Sequence, residues 1–346
     1  MTLVLSLADP QFTIQLSDRR LIDLVGAAGV TTVVSDEANK AGALVCGDAH
    51  LAYSFAGLAR AGAFDTRRWL RGAILEAAPP EFQIEYIVER LRQIATRQFR
   101  ENQDVARLPL RDRRLSVMLA GYWNTTLGCI PAGWIITNFQ QNFDLGRGAP
   151  DRPDPWDEFR CWRWHQSAPP SGSFHHIERL GAWRGVSTFD MARLENLLRR
   201  EDRPVDAVIG MALGVMLRAS DADASAGSVG KQVSVVVVPR DASEEIRFSY
   251  ESNRVTADVP VPDILLARNR AESRWIALNL RGAASPGEPA PVTVPRVHRK
   301  APCPCKSGQT YERCHRRSRR DIRRSLQVLR SLQVAVSDHP SEPRAK

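Results

Sequence analysis

The chain has 346 residues, enough to bury one large core or two smaller ones. Its net charge of +9 is concentrated: residues 296–330 carry 12 Lys/Arg against 2 Asp/Glu, so that stretch holds +10 and the remainder about −1. The body therefore needs no polyanionic partner. No apolar run reaches membrane-spanning length and no basic-then-apolar leader opens the chain, so a soluble cytoplasmic protein without a membrane span is expected.

In chain order, Leu3 to Leu7 and Phe12 to Leu16 read as two strands around Asp9-Pro10-Gln11. If that hairpin turns about Pro10, residues i and 20−i face each other. Thr2 then lies opposite Asp18, Val4, Ile14 and Leu16 share one face, and Leu3, Leu5 and Leu7 take the other. Ala41 to Cys46 and Leu51 to Phe55 form a second pair around Gly47-Asp48. Helical spacing follows near 58–76 and 82–99, separated by Pro79-Pro80. Leu115 to Leu119 and Trp134 to Asn138 read as strands, whereas Gly146 to Ser173 carries Pro, Gly and Trp without a clear period. Ser187 or Thr188 caps a helix to about Arg200, and a second helix fits 204–218. Val233 to Val238 is a buried strand with Ile246 to Tyr250 as its partner.

Antiparallel pairs alternating with helix pairs predict an α+β fold rather than a doubly wound parallel sheet. Apolar residues on both faces of the first hairpin fit a sheet covered on both sides. Residues 1–281 are expected to form this body. A linker (282–301), a metal-binding unit (302–316), a basic helix (317–336) and a disordered tail (337–346) follow.

The metal-binding unit reads Cys303-Pro304-Cys305-Lys306-Ser307-Gly308, then Tyr311 and Cys314-His315. Three thiols and an imidazole make a complete tetrahedral Zn2+ shell, so Cys303, Cys305, Cys314 and His315 are the expected ligands. A closed shell argues for a structural zinc, and so short a unit has no core of its own, leaving metal binding as most of its folding energy. These residues resemble the SEC-C motif, a small zinc hook known from the end of the SecA translocase and from many otherwise unrelated proteins. Lys306 stands where the family usually has glycine. The resemblance implies zinc and an adapter role towards a protein partner, not an enzyme activity. The adjoining basic helix suits RNA, the ribosome or an acidic protein surface, and equally suits a solvated helix. A homo-oligomer is left open.

At the other end, removal of Met1 would leave Thr2 with a free α-amine, ordinarily titrating at about 8, next to its own hydroxyl. Asp18 and Lys40 are the candidates to position and tune that pair. Together with Ser17-Asp18-Arg19-Arg20, Asn39-Lys40 and Phe55-Ala56-Gly57, this region resembles the proteasome and its bacterial peptidase relatives, the N-terminal nucleophile (Ntn) hydrolases. The resemblance implies a four-layer αββα sandwich, catalytic roles for Thr2, Asp18 and Lys40, and an oxyanion contact from the Gly57 N–H. Two departures stand out: Gly181-Ala182-Trp183 replaces a Gly-Ser-Gly, and Asp223-Ala224-Ser225-Ala226-Gly227 is the best match to Asp-x-x-Ser-Gly, with Ser225 or Ser228 as a substitute. A threonine hydrolase of amide bonds and a non-catalytic scaffold or adapter both fit. His165, His175 and His176 lack metal partners at ligand spacing, the Trp156, Trp162, Arg163 and Trp164 group suits packing, and Cys46, Cys129 and Cys161 are expected as ordinary buried thiols.

Overall fold

The computed structural model describes residues 2–25, 30–36, 38–126, 128–139, 155–165, 174–223, 227–251, 263–267 and 274–277. The expected linker, zinc hook, basic helix and tail lie outside the described residues.

The elements run β1 (Leu3–Ala8), β2 (Phe12–Asp18), β3 (Leu21–Val25), β4 (Val30–Ser35), β5 (Ala41–Cys46) and β6 (Ala49–Gly57). A small hairpin of β7 (Arg60–Ala61) and β8 (Phe64–Asp65) leads into α1 (Thr66–Ala77), α2 (Ile84–Glu101) and a short α3 (Gln103–Ala106). Next come β9 (Leu115–Thr125), β10 (Gly128–Thr137), β11 (Arg160–His165) and β12 (His176–Gly181). The chain continues through α4 (Thr188–Leu198), α5 (Val205–Asp221), β13 (Val233–Pro239), β14 (Arg247–Glu251), β15 (Asp263–Ala267) and β16 (Arg274–Ala277).

The result is a mixed α+β body with two principal sheets. One has five strands in the order β12-β1-β2-β13-β14, all antiparallel. The other has seven, β11-β10-β9-β6-β5-β15-β16, and its β5–β15 pair is parallel. That parallel pair departs from the expected run of antiparallel neighbours. It joins segments more than 200 residues apart, a pairing that local patterning does not encode.

Helix periodicity decides what covers each sheet. In α2, Ile84, Ile87, Val88, Leu91, Ile94, Ala95 and Phe99 are buried, the three-and-four spacing of one helical stripe. With Leu70, Ala73, Ile74 and Ala77 of α1, that stripe packs on Leu44, Leu51, Tyr53 and Phe55 of the larger sheet. Leu194 and Leu198 of α4, with Val208, Ala212, Val215 and Met216 of α5, pack on Leu3, Leu5, Leu7, Ile14 and Leu16 of the smaller sheet. The opposite faces of the two sheets meet each other, as where Val236 and Val238 pack with Ala43, Ala52 and Tyr122.

The helices begin at their caps. Asp65 accepts from the Arg68 N–H at 3.0 Å, so α1 starts at Thr66 and not near 58. Ser187 accepts from the Asp190 N–H at 3.0 Å, the cap read from the sequence for α4. The periodless stretch from Gly146 to Ser173 contributes β11. Cys46 is buried as expected, whereas Cys129 and Cys161 are only half-buried.

The first hairpin corrects one expectation. Ala8 pairs with Thr13 and Val4 with Ser17, so facing residues sum to 21 rather than 20. The tip has two central residues, Pro10 and Gln11, closed by the Asp9 N–H on the Phe12 carbonyl at 3.1 Å. Because strand side chains alternate, one residue of register changes which ones share a face. Leu3, Leu5 and Leu7 therefore join Ile14 and Leu16 on the helix side, and Thr2 is not the cross-strand partner of Asp18.

Asp9 fixes that tip. Its Oδ1 accepts from the N–H groups of Gln11 (2.6 Å) and Phe12 (3.0 Å), and its Oδ2 from Arg203 Nε (2.9 Å). Its carbonyl accepts from the Tyr122 hydroxyl of the other sheet at 2.7 Å. Asp9→Ala is expected to destabilise the body by about 3–5 kcal/mol, because it leaves the Arg203 charge buried without its partner. Urea unfolding measures this; a midpoint within error of wild type would remove Asp9 from that role.

Candidate functional site

The ends of β1, β2 and β5 converge on Lys40. Its stem is buried just before β5, and its Nζ stands 2.7 Å from Thr2 Oγ1, to which it donates. The same ammonium donates to the Arg20 carbonyl and lies 3.5 Å from Asp18 Oδ1. Three donors thus meet three oxygens, which matches the capacity of an ammonium group. Burial pulls the Lys40 pKa below its ordinary value, while Asp18 opposes the shift.

Asp18 is held by the backbone. Its Oδ2 accepts from the Leu3 N–H at 2.8 Å, and its Oδ1 from the N–H groups of Arg20 (3.0 Å) and Gly230 (3.1 Å). Register places Asp18 across from Leu3, and its carboxylate reaches Thr2 only through Lys40. The expected group is therefore assembled, by a different route.

The Arg20 guanidinium grips Asp36 with Nε at 2.6 Å and Nη2 at 3.3 Å, and donates to the Gly227 carbonyl at 2.7 Å. That clamp lays the 227–230 segment beside the Asp18–Arg20 turn. Ser228, in this segment, is 8% exposed and lies two residues before Gly230, whose N–H donates to Asp18. Ser225 lies outside the described residues.

Thr2 is 3% exposed and is pinned by its carbonyl, which accepts from the Ala182 N–H at 2.8 Å. Gly181 adopts φ +79°, and a Cβ there would come 1.7 Å from the Thr2 carbonyl oxygen and 3.1 Å from Ala56 Cβ. Glycine is required because any side chain would occupy the space of the Thr2 backbone. Ala182 itself is buried against the α4–α5 side and brings no hydroxyl. Gly57 ends β6 with φ +106°, next to Ala56 and hence to this junction; a Cβ on it would strike the Arg114 carbonyl at 2.2 Å.

Beside Lys40 opens a cavity of about 200 Å³. Leu21, Val34, Phe55 and Ala59 supply apolar walls, with Arg60 and Arg67 among the charged residues lining it. Both cations have carboxylate partners: Arg60 pairs with Asp65 at 3.1 Å, and Arg67 with Asp263 at 2.9 Å. The sequence reading missed this cavity because β3 and β4, which carry Leu21 and Val34, went unassigned.

The weaker candidates resolve as packing. Trp164 stacks on His176 at 4.2 Å, Arg160 lies over Trp156 at 3.9 Å, and Arg163 pairs with Glu85. His165 contacts the Trp123 ring at 6.3 Å, and His175 Nε2 lies 3.4 Å from Arg199 Nε. Among the described residues no group of three His, Cys, Asp or Glu side chains could hold a metal ion. No described helix is long and apolar enough to cross a membrane.

Gly181→Ala tests the Thr2 anchor. The left-handed conformation alone should cost about 1–2 kcal/mol, and the clash with the Thr2 carbonyl adds to it. A lowered unfolding midpoint is expected; a stable variant with wild-type melting would show that the anchor relaxes freely.

A family model for the SEC-C motif matches residues 299–317. No curated protein matches the sequence of the chain. Among solved structures, the chain is similar to Anbu (ancestral beta-subunit) from Yersinia bercovieri, with 15% identity and a TM-score of 0.42 over 69% of this chain and 81% of that one.

Proposed function

We propose that the body is a four-layer αββα hydrolase of amide bonds whose nucleophile is Thr2, exposed by removal of Met1. The observation that carries this reading is the buried Lys40 Nζ at 2.7 Å from Thr2 Oγ1. A cation at that distance stabilises negative charge developing on the hydroxyl oxygen as it attacks a carbonyl. The free α-amine of Thr2 takes the hydroxyl proton and later returns it to the leaving amine. Asp18, fixed by three backbone N–H groups, holds Lys40 in place. The Gly57 N–H serves as an oxyanion donor, a contact of a kind worth roughly 3 kcal/mol. The apolar-walled cavity beside Lys40 receives a side chain of the acyl part of the substrate.

A second reading keeps the fold and drops the chemistry. It is favoured by Ala182, which binds the Thr2 carbonyl through its backbone but offers no hydroxyl to organise the amine. The body would then be a scaffold, and the C-terminal region the working part.

In both readings Cys303, Cys305, Cys314 and His315 hold one structural zinc in the SEC-C segment. The metal would fold a hook that recruits a protein partner, with residues 296–330 adding salt-sensitive attraction to an acidic surface, the ribosome or RNA.

A threonine-directed epoxyketone decides between the two readings. It should label Thr2 in protein confirmed by mass to lack Met1, and Lys40→Ala should slow labelling by about 10²–10³-fold. No labelling of such protein would leave the scaffold reading. For the hook, metal analysis should find one zinc per chain in wild type and none in Cys303→Ser, with the main unfolding transition unchanged. Zinc-free wild-type protein prepared without chelators would overturn the ligand assignment.

A further inference from the structure

The layer where the two sheets meet is apolar only in patches. Its buried hydrophobic residues fall into three separate groups. One joins Val236 and Val238 to Ala43, Ala52 and Tyr122. A second joins Val4 and Leu180 to Ala56, Met118 and Ile135. The third joins Ala8 to Ala120 and Trp164.

Polar side chains stand between them. Gln15 is paired across the smaller sheet with Ser6 on one side and Val236 on the other. It therefore sits where the first group gives way to the second. On the larger sheet, Ser54 alternates along β6 with Ala52 of the first group and Ala56 of the second, which puts its side chain on the same inner face. Ser234 follows on β13, paired with Ser17. Exposure is 1% at Ser6, 0% at Gln15, 0% at Ser54 and 3% at Ser234.

Both amide atoms of Gln15 and all three of these serine hydroxyls have no hydrogen-bond partner among the described residues. A primary amide offers two donors and two lone pairs, and each hydroxyl a donor and two more. Leaving five such atoms dry would carry the full desolvation cost at every one, a sum on the scale of the whole stability of a domain. Neither backbone nor side chain meets any of the five atoms within hydrogen-bond distance among the described residues. Water is the remaining partner, and a polar site with several convergent groups is where buried water is held.

We infer that the layer between the sheets holds a bound water cluster, centred on the Gln15 amide and shared by Ser6, Ser54 and Ser234. The cluster separates the three apolar groups and runs towards the candidate site. Ser54 pairs with Ala41, which follows Lys40, and Ser234 pairs with Ser17, which precedes Asp18. The inference does not depend on Thr2 being a nucleophile.

Two measurements test it. A high-resolution crystal structure of the wild-type protein should show ordered water within hydrogen-bond distance of Gln15 and at least two of the three serines. Direct Gln15–serine bonds with no water between the sheets would overturn the inference. Thermal unfolding of Gln15→Met supplies an independent sign. Around a hydrated amide, the substitution strips bonds from the waters and should lower Tm by about 2–4 °C or more. Around a dry, unpartnered amide it removes a penalty and should raise Tm, which would refute the cluster.

Discussion

The carboxylate of Asp9 sets the arrangement on which the rest of the body depends. By capping two N–H groups at the first turn it makes a tip with two central residues and fixes how β1 runs against β2. The same residue binds Arg203, just ahead of α5, and Tyr122 of the opposite sheet. One buried side chain thereby ties a turn, the helices that cover one sheet, and the second sheet. A charge placed so deep is tolerated only because its donors are complete, which makes the junction sensitive to losing any of them.

That register determines what surrounds Lys40. With facing residues summing to 21, the Asp18 carboxylate meets the Leu3 N–H and turns its other oxygen to Arg20, Gly230 and the lysine. Lys40 becomes the link between a carboxylate and a hydroxyl that do not touch each other. Burying an ammonium is costly, and burial alone would favour its neutral form; the nearby carboxylate and two further oxygens offset that cost. The arrangement concentrates charge, a hydroxyl and a left-handed glycine in one small volume beside a cavity. On the hydrolase reading proposed above, that concentration forms the reactive centre.

Apolar and polar packing are divided between layers. The two large apolar clusters lie outside the sheets, between each sheet and its helix pair, where the helical stripes of α2 and α5 meet alternate strand positions. The space between the sheets is mixed, with small apolar groups broken by Gln15 and serines. The outer layers can thus hold the fold while the inner layer supports a buried lysine in polar surroundings.

The sequence by itself determined the elements that have strong local signals. Apolar runs marked β1, β2, β5, β6 and β13, helical stripes marked α1, α2, α4 and α5, and Ser187 marked a cap. It also marked a SEC-C motif at 302–316, inside the 299–317 that the family model matches, because that motif is a short string of residue types at fixed spacing. Thr2, Asp18 and Lys40 rest on an assumed hairpin register and on the resemblance at Ser17–Arg20 and Asn39–Lys40; the register is off by one, yet the structure brings all three together through Lys40. Only the tertiary structure decided the rest. Whether the first turn has one or two central residues rests on the Asp9 side chain and its distant partners, and that parity moved Thr2 away from Asp18. The parallel β5–β15 pair, the cavity wall from β3 and β4, and the Gly181 contact with the Thr2 carbonyl join segments far apart in the chain. Local propensity carries no information about such pairings, because their free energy exists only once both partners are in place.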